Sequence, residues 1–455
     1  RNSSMSPVDR LEDDLVETPA HEIFKDLGYE TLVGSELNSE REVSDAILTS
    51  RLDKKIRELN PDLPEIVYET TINQVKSLSN PSTIQNNQEF HQMLLAGVKV
   101  PYQSEGQTKY YAVRLVDFEN PQNNDFAAVR QLLVQQHKQK KPDHVLFVNG
   151  LPLVILEYKD PTNPSADIVA AHKQLGTGNY QKHIPKIFNY NAFLVISDKT
   201  YARYGTMTAP FERFSDWNDP EDPDRTVANR LEMMQRLMLN KESLLELIQN
   251  YLEYESGGKM TVKKIAQQHQ YLGAKKAVEK TLEVFSQKDE NRIGIIWHTT
   301  GSGKSLTMIL YTNMISQIKH LENPTFVILT DRKDLDEQLN GFFEVAGFPY
   351  PRPKTAVLEA NSIVDLREKL EVPAGKIIFT TLQKFQVTDD ERDGMAKYPL
   401  ISERRNIIII ADEAHRSQYK KMAQNLQRAL PNALKIGFTG TPIDKEDKST
   451  REVFG

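Results

Sequence analysis

No cysteine occurs among the 455 residues, which excludes disulfides and cysteine-ligated zinc and fits a reducing cytoplasm. No apolar run approaches the 18 or so residues of a membrane-spanning helix, and no secretory signal pattern is present, so no membrane partner is expected. Internal repeats and long low-complexity tracts are also missing. Positive charge is not in excess: 57 Lys and Arg stand against 63 Asp and Glu, a formal charge of −6. That balance gives nucleic-acid binding no support, yet does not exclude it, because a large acidic enzyme can line a groove with local Lys and Arg. The pairs Lys140-Lys141, Lys275-Lys276 and Lys420-Lys421 are available, although the ordinary explanation of such pairs is a solvated face. What is present is a globular composition, 39% hydrophobic and 26% charged, over a length that suggests two or three domains. Arg1-Asn2-Ser3-Ser4 ahead of Met5 reads as a cloning scar.

The strongest local signal is Trp297-His298-Thr299-Thr300-Gly301-Ser302-Gly303-Lys304-Ser305, between the apolar run Gly294-Ile295-Ile296 and Leu306-Thr307-Met308-Ile309-Leu310. This is a strand, a glycine loop and a helix. Gly301 and Gly303 permit φ > 0 and close approach to phosphate, and the helix N-terminus supplies free N–H donors. Lys304 can reach the β/γ-phosphates and Ser305 can hold Mg²⁺. The strict G-x-x-x-x-G-K-[ST] pattern calls for glycine where this chain has His298. Ile407-Ile408-Ile409-Ile410-Ala411-Asp412-Glu413-Ala414-His415 then reads as a buried strand that delivers two carboxylates to its C-terminal end. Asp412 is placed to bind the Mg²⁺ of a nucleotide and Glu413 to polarise the attacking water. Taken singly, an Asp-Glu pair after a strand is also a helix cap. Further strand-then-polar turns at 326–332, 377–381 and 436–442 predict a parallel, doubly wound sheet.

Residues 260–455 resemble the first, RecA-like motor domain of a superfamily 2 helicase or translocase, since TGSGKS, TDR, TTLQKF, DEAH and FTGTP occur in that family's order. The resemblance implies ATP held by Thr300, Gly301, Ser302, Gly303, Lys304 and Ser305, with Asp412 on Mg²⁺ and Glu413 as base. It further implies that His415, Thr439 and Thr441 couple the γ-phosphate to motion, and that Arg332, Thr380 and Thr381 touch a nucleic-acid backbone. Gln270 is the candidate adenine-reading glutamine, a solvated helix glutamine being the alternative. The chain ends at Gly455, shortly after Thr441, so the second motor domain is expected to lie outside it.

Nearer the start, apolar residues at helical spacing predict a helix over 10–30, kinked or split by Pro19, and an amphipathic helix over 41–59. Tyr110–Phe118 reads as a strand. In Pro142–Lys159 two apolar runs flank Asn149-Gly150, a strong signal for a two-residue hairpin turn. Alternation puts Glu157 and Lys159 on one face, and the hairpin can return Asp143 to that end. Asp143 and Glu157, with the Tyr158 carbonyl, can chelate Mg²⁺, and Lys159 can orient or deprotonate a water that attacks a phosphodiester. The alternative is a cross-strand salt bridge on a solvated sheet face.

This run resembles the PD-(D/E)xK nuclease core. Together with LFVNGLPLVILEYK and Ile184–Phe193 it resembles the restriction (motor) subunit of type I restriction-modification enzymes, which joins that nuclease to a superfamily 2 translocase in the order seen here. The family often carries a Q-x-x-x-Y element; here Gln174 is followed by a tyrosine only at Tyr180, with Gly176 and Gly178 between. Its additional N-terminal glutamate corresponds to Glu12 or Glu17, either of which also fits an exposed helix face. An acidic, proline-bearing loop at 216–224 and the Gly257-Gly258 joint suggest an α/β endonuclease domain over 5–257 and a RecA-like motor domain over 258–455. The resemblance implies double-stranded DNA, Mg²⁺ and ATP as substrate and cofactors, and the methyltransferase and DNA-specificity subunits as partners. Two other readings stay open: a stand-alone repair helicase-nuclease, and a motor whose N-terminal part is an inactive docking module.

Overall fold

The computed structural model describes residues 13–162, 167–219, 221–222, 229–255, 260–299, 301–330, 356–371, 375–388, 391–392, 397–412 and 419–440. In the first part, helix α1 (Thr18–Asp26) follows one π-helical stretch, Asp13–Glu17, and Pro19 sits in its first turn, where a missing N–H costs nothing. A six-stranded mixed sheet runs β1 (Glu30–Val33), β2 (Phe126–Arg130), β3 (His144–Val148), β4 (Leu151–Tyr158), β5 (Phe193–Ser197) and β6 (Ala202–Gly205) in both chain and spatial order. β1–β2 and β4–β5 are parallel and the other neighbours antiparallel. Every residue of β3 and β4 is buried, which is why both read as nearly continuous apolar runs rather than as alternation.

The hairpin forms as its turn residues predict. Asn149 and Gly150 both take left-handed backbone, φ 52° and 81°. The Asn149 side chain is fully buried and satisfied, accepting from Asp125 N at 2.8 Å and donating to Leu115 O and Asn124 Oδ1, each at 2.9 Å. Helix α2 (Thr49–Leu59) starts later than the amphipathic pattern over 41–59 predicts. Tertiary bonds override the pattern: Val43 O accepts from Gln135 N, Leu48 N donates to Gly150 O, and the Arg41 guanidinium holds the carbonyls of Val43, Asp45 and Leu133. The strand expected over 110–118 stops at Val113, because Arg114 N donates to Asn60 Oδ1 and Asp117 caps a turn through Glu119 N and Asn120 N. Two short helices, α3 (Ile168–Leu175) and α4 (Tyr180–His183), follow β4. A two-stranded hairpin, β7 (Leu252–Glu255) with β8 (Val262–Ile265), closes the part.

The chain divides into compact units at Gln268/His269, so the 257/258 position lies between β7 and β8 within the first unit. Helix α5 (Gln268–Ser286) opens the second unit and α6 (Lys304–Ser316) follows β9 (Arg292–Trp297). With β10 (Thr325–Leu329), β11 (Ala356–Glu359), β12 (Lys376–Thr380), β13 (Ile407–Asp412) and β14 (Leu434–Thr439) it builds an all-parallel sheet, ordered β9-β14-β13-β10-β12-β11. The isoleucine run of β13 feeds both faces. Ile408 and Ile410 pack with Met308, Ile309 and Tyr311 of α6, and Ile407, Ile409 and Ala411 pack with Leu366 and Leu426 on the other side. Each such burial is worth about 1.5–3 kcal/mol, and the α/β layering expected from the repeated units is what results.

A Cβ built at Gly150 would lie 2.5 Å from the Leu48 carbonyl oxygen, on a residue already at positive φ. Gly150→Ala should therefore destabilise the first unit by at least about 2 kcal/mol, read as a drop in its urea midpoint. An unchanged midpoint would show that the turn and the 48–52 segment relax freely.

Candidate active sites

The hairpin register pairs His144 with Leu156 and so carries Asp143 alongside Glu157 and Tyr158 at the open end of β3–β4. Asp143 Oδ2 accepts from Tyr158 N at 2.7 Å, and Lys159 Nζ lies 3.5 Å from Glu157 Oε1. Asp143 and Glu157 are 7% and 1% exposed, which removes the solvated-face alternative. Burial pushes the Asp143 carboxyl up to about 6, against the opposing pull of the Tyr158 N–H, Lys159 and Gln131.

Four residues that sequence reasoning left undecided or missed join this cluster. Tyr180, on α4, is buried and its hydroxyl is 3.5 Å from Glu157 Oε1, 3.3 Å from Lys141 O and 2.9 Å from Gln174 Nε2 on α3. The Gln174/Tyr180 pair therefore reaches the cluster despite its wider spacing, because the chain turns at 176–179 between two short helices. Burial, then the Glu157 charge, hold the phenol well above its ordinary value, so it acts as a donor. Glu17 is also buried, and Gln131 Nε2 donates both to Glu17 Oε2 at 2.8 Å and to Asp143 Oδ1 at 3.3 Å. Gln131 adopts φ 54°, a left-handed backbone that costs energy and is held by its N–H on Asp143 O at 3.0 Å. No spacing rule marks Gln131. Glu12 lies outside the described residues. The helix that follows Glu17 is tied to β3 by His21 Nδ1 and His144 Nε2, 3.0 Å apart. Desolvation lowers both imidazoles, most strongly His144, which keeps one ring nitrogen available as acceptor.

Among the described residues no three His, Cys, Asp or Glu side chains come together as a metal cage. Two buried carboxylates nevertheless suit Mg²⁺, which takes hard oxygen donors from one or two carboxylates and completes its shell with water and substrate phosphate. Desolvation raises the Asp143 carboxyl, and a bound cation would offset that penalty on its charged form.

In the second unit the glycine loop has the backbone its sequence requires. Gly301 and Gly303 take φ 82° and 84°, and Gly303 is the left-handed N-cap of α6. Lys304 Nζ is 2.6 Å from Asp412 Oδ1 at the end of β13, and Asp412 is 3% exposed. Ser305 follows in the first turn of α6. Gln270 is 4% exposed and donates to Ser302 O at 3.2 Å and Gly303 O at 3.1 Å, so it is not a solvated helix glutamine. His298 replaces the expected glycine with a buried ring whose Nδ1 is 3.2 Å from Ser302 Oγ, and the His298 backbone N–H donates to Thr439 O at 2.9 Å. Thr380 is buried at the end of β12, its carbonyl accepting from Thr330 N at 3.1 Å, while Thr381 is half-exposed beyond it. Thr300, Arg332, Glu413, His415 and Thr441 lie outside the described residues.

These two clusters coincide with two family matches. Residues 9–213 match the type I restriction enzyme R protein N terminus, and residues 269–455 match the SWI2/SNF2 ATPase. The type I restriction enzyme HindI endonuclease subunit of Haemophilus influenzae is 38% identical over 458 residues, covering 95% of this chain and 43% of that protein. This chain belongs to the family of type I restriction enzyme endonuclease subunits. The SsaAORF53P endonuclease subunit of Staphylococcus saprophyticus is 25% identical over 97% of this chain and 44% of its own length. The chain thus spans less than half the length of these curated relatives. A nuclease-deletion mutant of the Type ISP restriction-modification enzyme LlaGI, in complex with a DNA substrate mimic, aligns with 42% of this chain and 19% of its own at 18% identity and a TM-score of 0.29, too low to add to the argument. As a member of this family the chain carries a helicase-like ATPase domain, and among its described residues no helix is long and apolar enough to cross a membrane.

Desolvation, then His269 and Lys304, push the His298 imidazole down to about 4. The unfolded chain, near 6.5, takes the proton first, so stability is lost as pH falls from about 6.5 towards 4. The urea midpoint of the second unit should fall over that window in the wild type and fall less in His298→Gly; parallel profiles would mean that His298 takes up its proton equally in the folded and the unfolded chain.

Proposed function

We propose that this chain carries the nuclease and the first half of the ATP-driven motor of a type I restriction enzyme, coupling translocation along double-stranded DNA to Mg²⁺-dependent cleavage. The observation that carries the reading is the buried cluster of Asp143, Glu157 and Lys159, held on one chain with a glycine loop whose Lys304 reaches Asp412. In the first unit, Asp143 and Glu157 would hold the metal, which when bound supplies charge for an attacking water and a leaving oxygen. Lys159 orients that water and shares its proton. Tyr180 and Gln174 fix the Glu157 carboxylate, while Gln131 and Glu17 fix Asp143. In the second unit, the loop at 300–305 cradles the phosphates, Lys304 and Ser305 meet the β/γ-phosphates and Mg²⁺, Asp412 holds that ion, and Glu413 serves as base. Gln270, bonded to the loop carbonyls, links adenine reading to loop position. His415, Thr439 and Thr441 sense the γ-phosphate, and Arg332, Thr380 and Thr381 follow the DNA backbone. Methyltransferase and specificity subunits complete the complex and supply base recognition.

The test uses the full-length subunit with both partners, on unmethylated circular DNA. Lys159→Ala should lose cleavage by about 10²-fold or more and keep its ATPase within about twofold, whereas Lys304→Ala should lose both. Unchanged cleavage in Lys159→Ala would remove the nuclease from this hairpin.

A further inference from the structure

Charge is not spread evenly around the first cluster. Residues 131–142 and 168–197 contain Lys138, Lys140, Lys141, Lys173, Lys182 and Lys186 and no Asp or Glu, in a chain whose formal charge is −6. The fold brings the two segments together. His137 N and Lys138 N both donate to His183 O, at 3.0 and 3.4 Å, and Lys186 N donates to Gln136 Oε1 at 3.0 Å. Lys138, Lys141, Lys182 and Lys186 are exposed, and among the described residues none of the six lysines makes an ion pair. Desolvation, then Lys138, Lys140, Lys182 and His137, hold the His183 imidazole below its ordinary value.

This surface borders the carboxylates. Tyr180 is its hinge point: the hydroxyl contacts Lys141 O and Glu157 Oε1, and Lys140 Nζ lies 5.8 Å from the ring centroid. We propose that the two acid-free segments form a shelf that grips the phosphate backbone of double-stranded DNA and lays a phosphodiester against Asp143 and Glu157. The inference rests on the nuclease reading of that cluster. Duplex DNA fits because it presents one negative charge per roughly 1.7 Å of axis, so several spaced lysines engage it at once without reading bases. An acidic protein surface is the competing occupant, and it makes the opposite forecast for DNA affinity.

The full chain is titrated against a fluorescently labelled duplex of about 30 base pairs in EDTA without nucleotide, across a KCl series, with anisotropy as the readout. Lys138→Gln/Lys182→Gln/Lys186→Gln is compared with a triple variant of exposed lysines elsewhere in the unit, Lys25→Gln/Lys54→Gln/Lys109→Gln. The shelf variant should bind about tenfold or more weaker near 0.1 M salt, with a log–log salt slope shallower by about 2–3, and the control should stay within about twofold. Equal urea midpoints confirm that both fold. Unshifted affinity and slope in the shelf variant, or an equal loss in the control, overturns the shelf. The assay reads binding and not cleavage, so loss of the nuclease reading, through normal cleavage by Lys159→Ala, is a separate result.

Discussion

The hydrogen bond from the Tyr158 N–H to Asp143 Oδ2, 2.7 Å long, determines where Asp143 sits beside Glu157 in the first unit. It forms only in one hairpin register, and that register depends on Asn149 and Gly150 both holding left-handed backbone. A slip by one residue would turn Glu157 and Lys159 to the opposite face of the sheet and leave Asp143 facing an apolar side chain. Burial of every residue of β3 and β4 makes such a slip costly, because the slipped strands would have to repack both faces. The chemical cluster is thus a consequence of main-chain pairing before it is a consequence of side-chain choice.

Both clusters place a desolvated carboxylate beside one lysine, yet their charge balance differs. In the second unit Lys304 and Asp412 meet at 2.6 Å and compensate each other. A triphosphate with its cation offers each of them an equivalent opposite charge, so exchange of one pairing for two need not expose either group. In the first unit Asp143 and Glu157 are both buried, and Lys159 lies 3.5 Å from Glu157. Desolvation raises the Asp143 carboxyl, and an added cation would stabilise its charged form. The first cluster therefore calls for an added cation more strongly than the second does.

What could be read directly from the sequence was local. The glycine loop, the Asp412 strand and the Asn149-Gly150 turn each declare themselves within about ten residues, because φ > 0, strand ends and hairpin register are short-range properties. What escaped reading was brought together by tertiary contact. Glu12 and Glu17 fit the same helical pattern, and the tie of Glu17 to the cluster comes through the Gln131 amide, more than a hundred positions away. The Gln174–Tyr180 pair departs from the expected spacing because two helices and a turn intervene where one helix would give a shorter interval. Residues 41–48 carry a helical pattern but spend their main-chain groups on Gln135 and Gly150, a choice that no local propensity encodes. His298 broke the glycine pattern, and the structure accommodates its ring by burying it against Ser302.

The arrangement of lysines around the first cluster follows from the same electrostatics. In the proposed nuclease, a phosphodiester has to approach buried carboxylates that repel it, and a cation alone neutralises only the final contact. Placing further lysines among the carboxylates would draw Asp143 and Glu157 into ion pairs and weaken their hold on that cation. Lysines on the rim avoid this conflict: their charge attracts the backbone through solvent, at distances where a buried carboxylate is not titrated by them. Under that proposal, the separation of one inner lysine, Lys159, from an outer set on 131–142 and 168–197 is the geometry that lets a site be negative enough for a metal and positive enough for a polyanion.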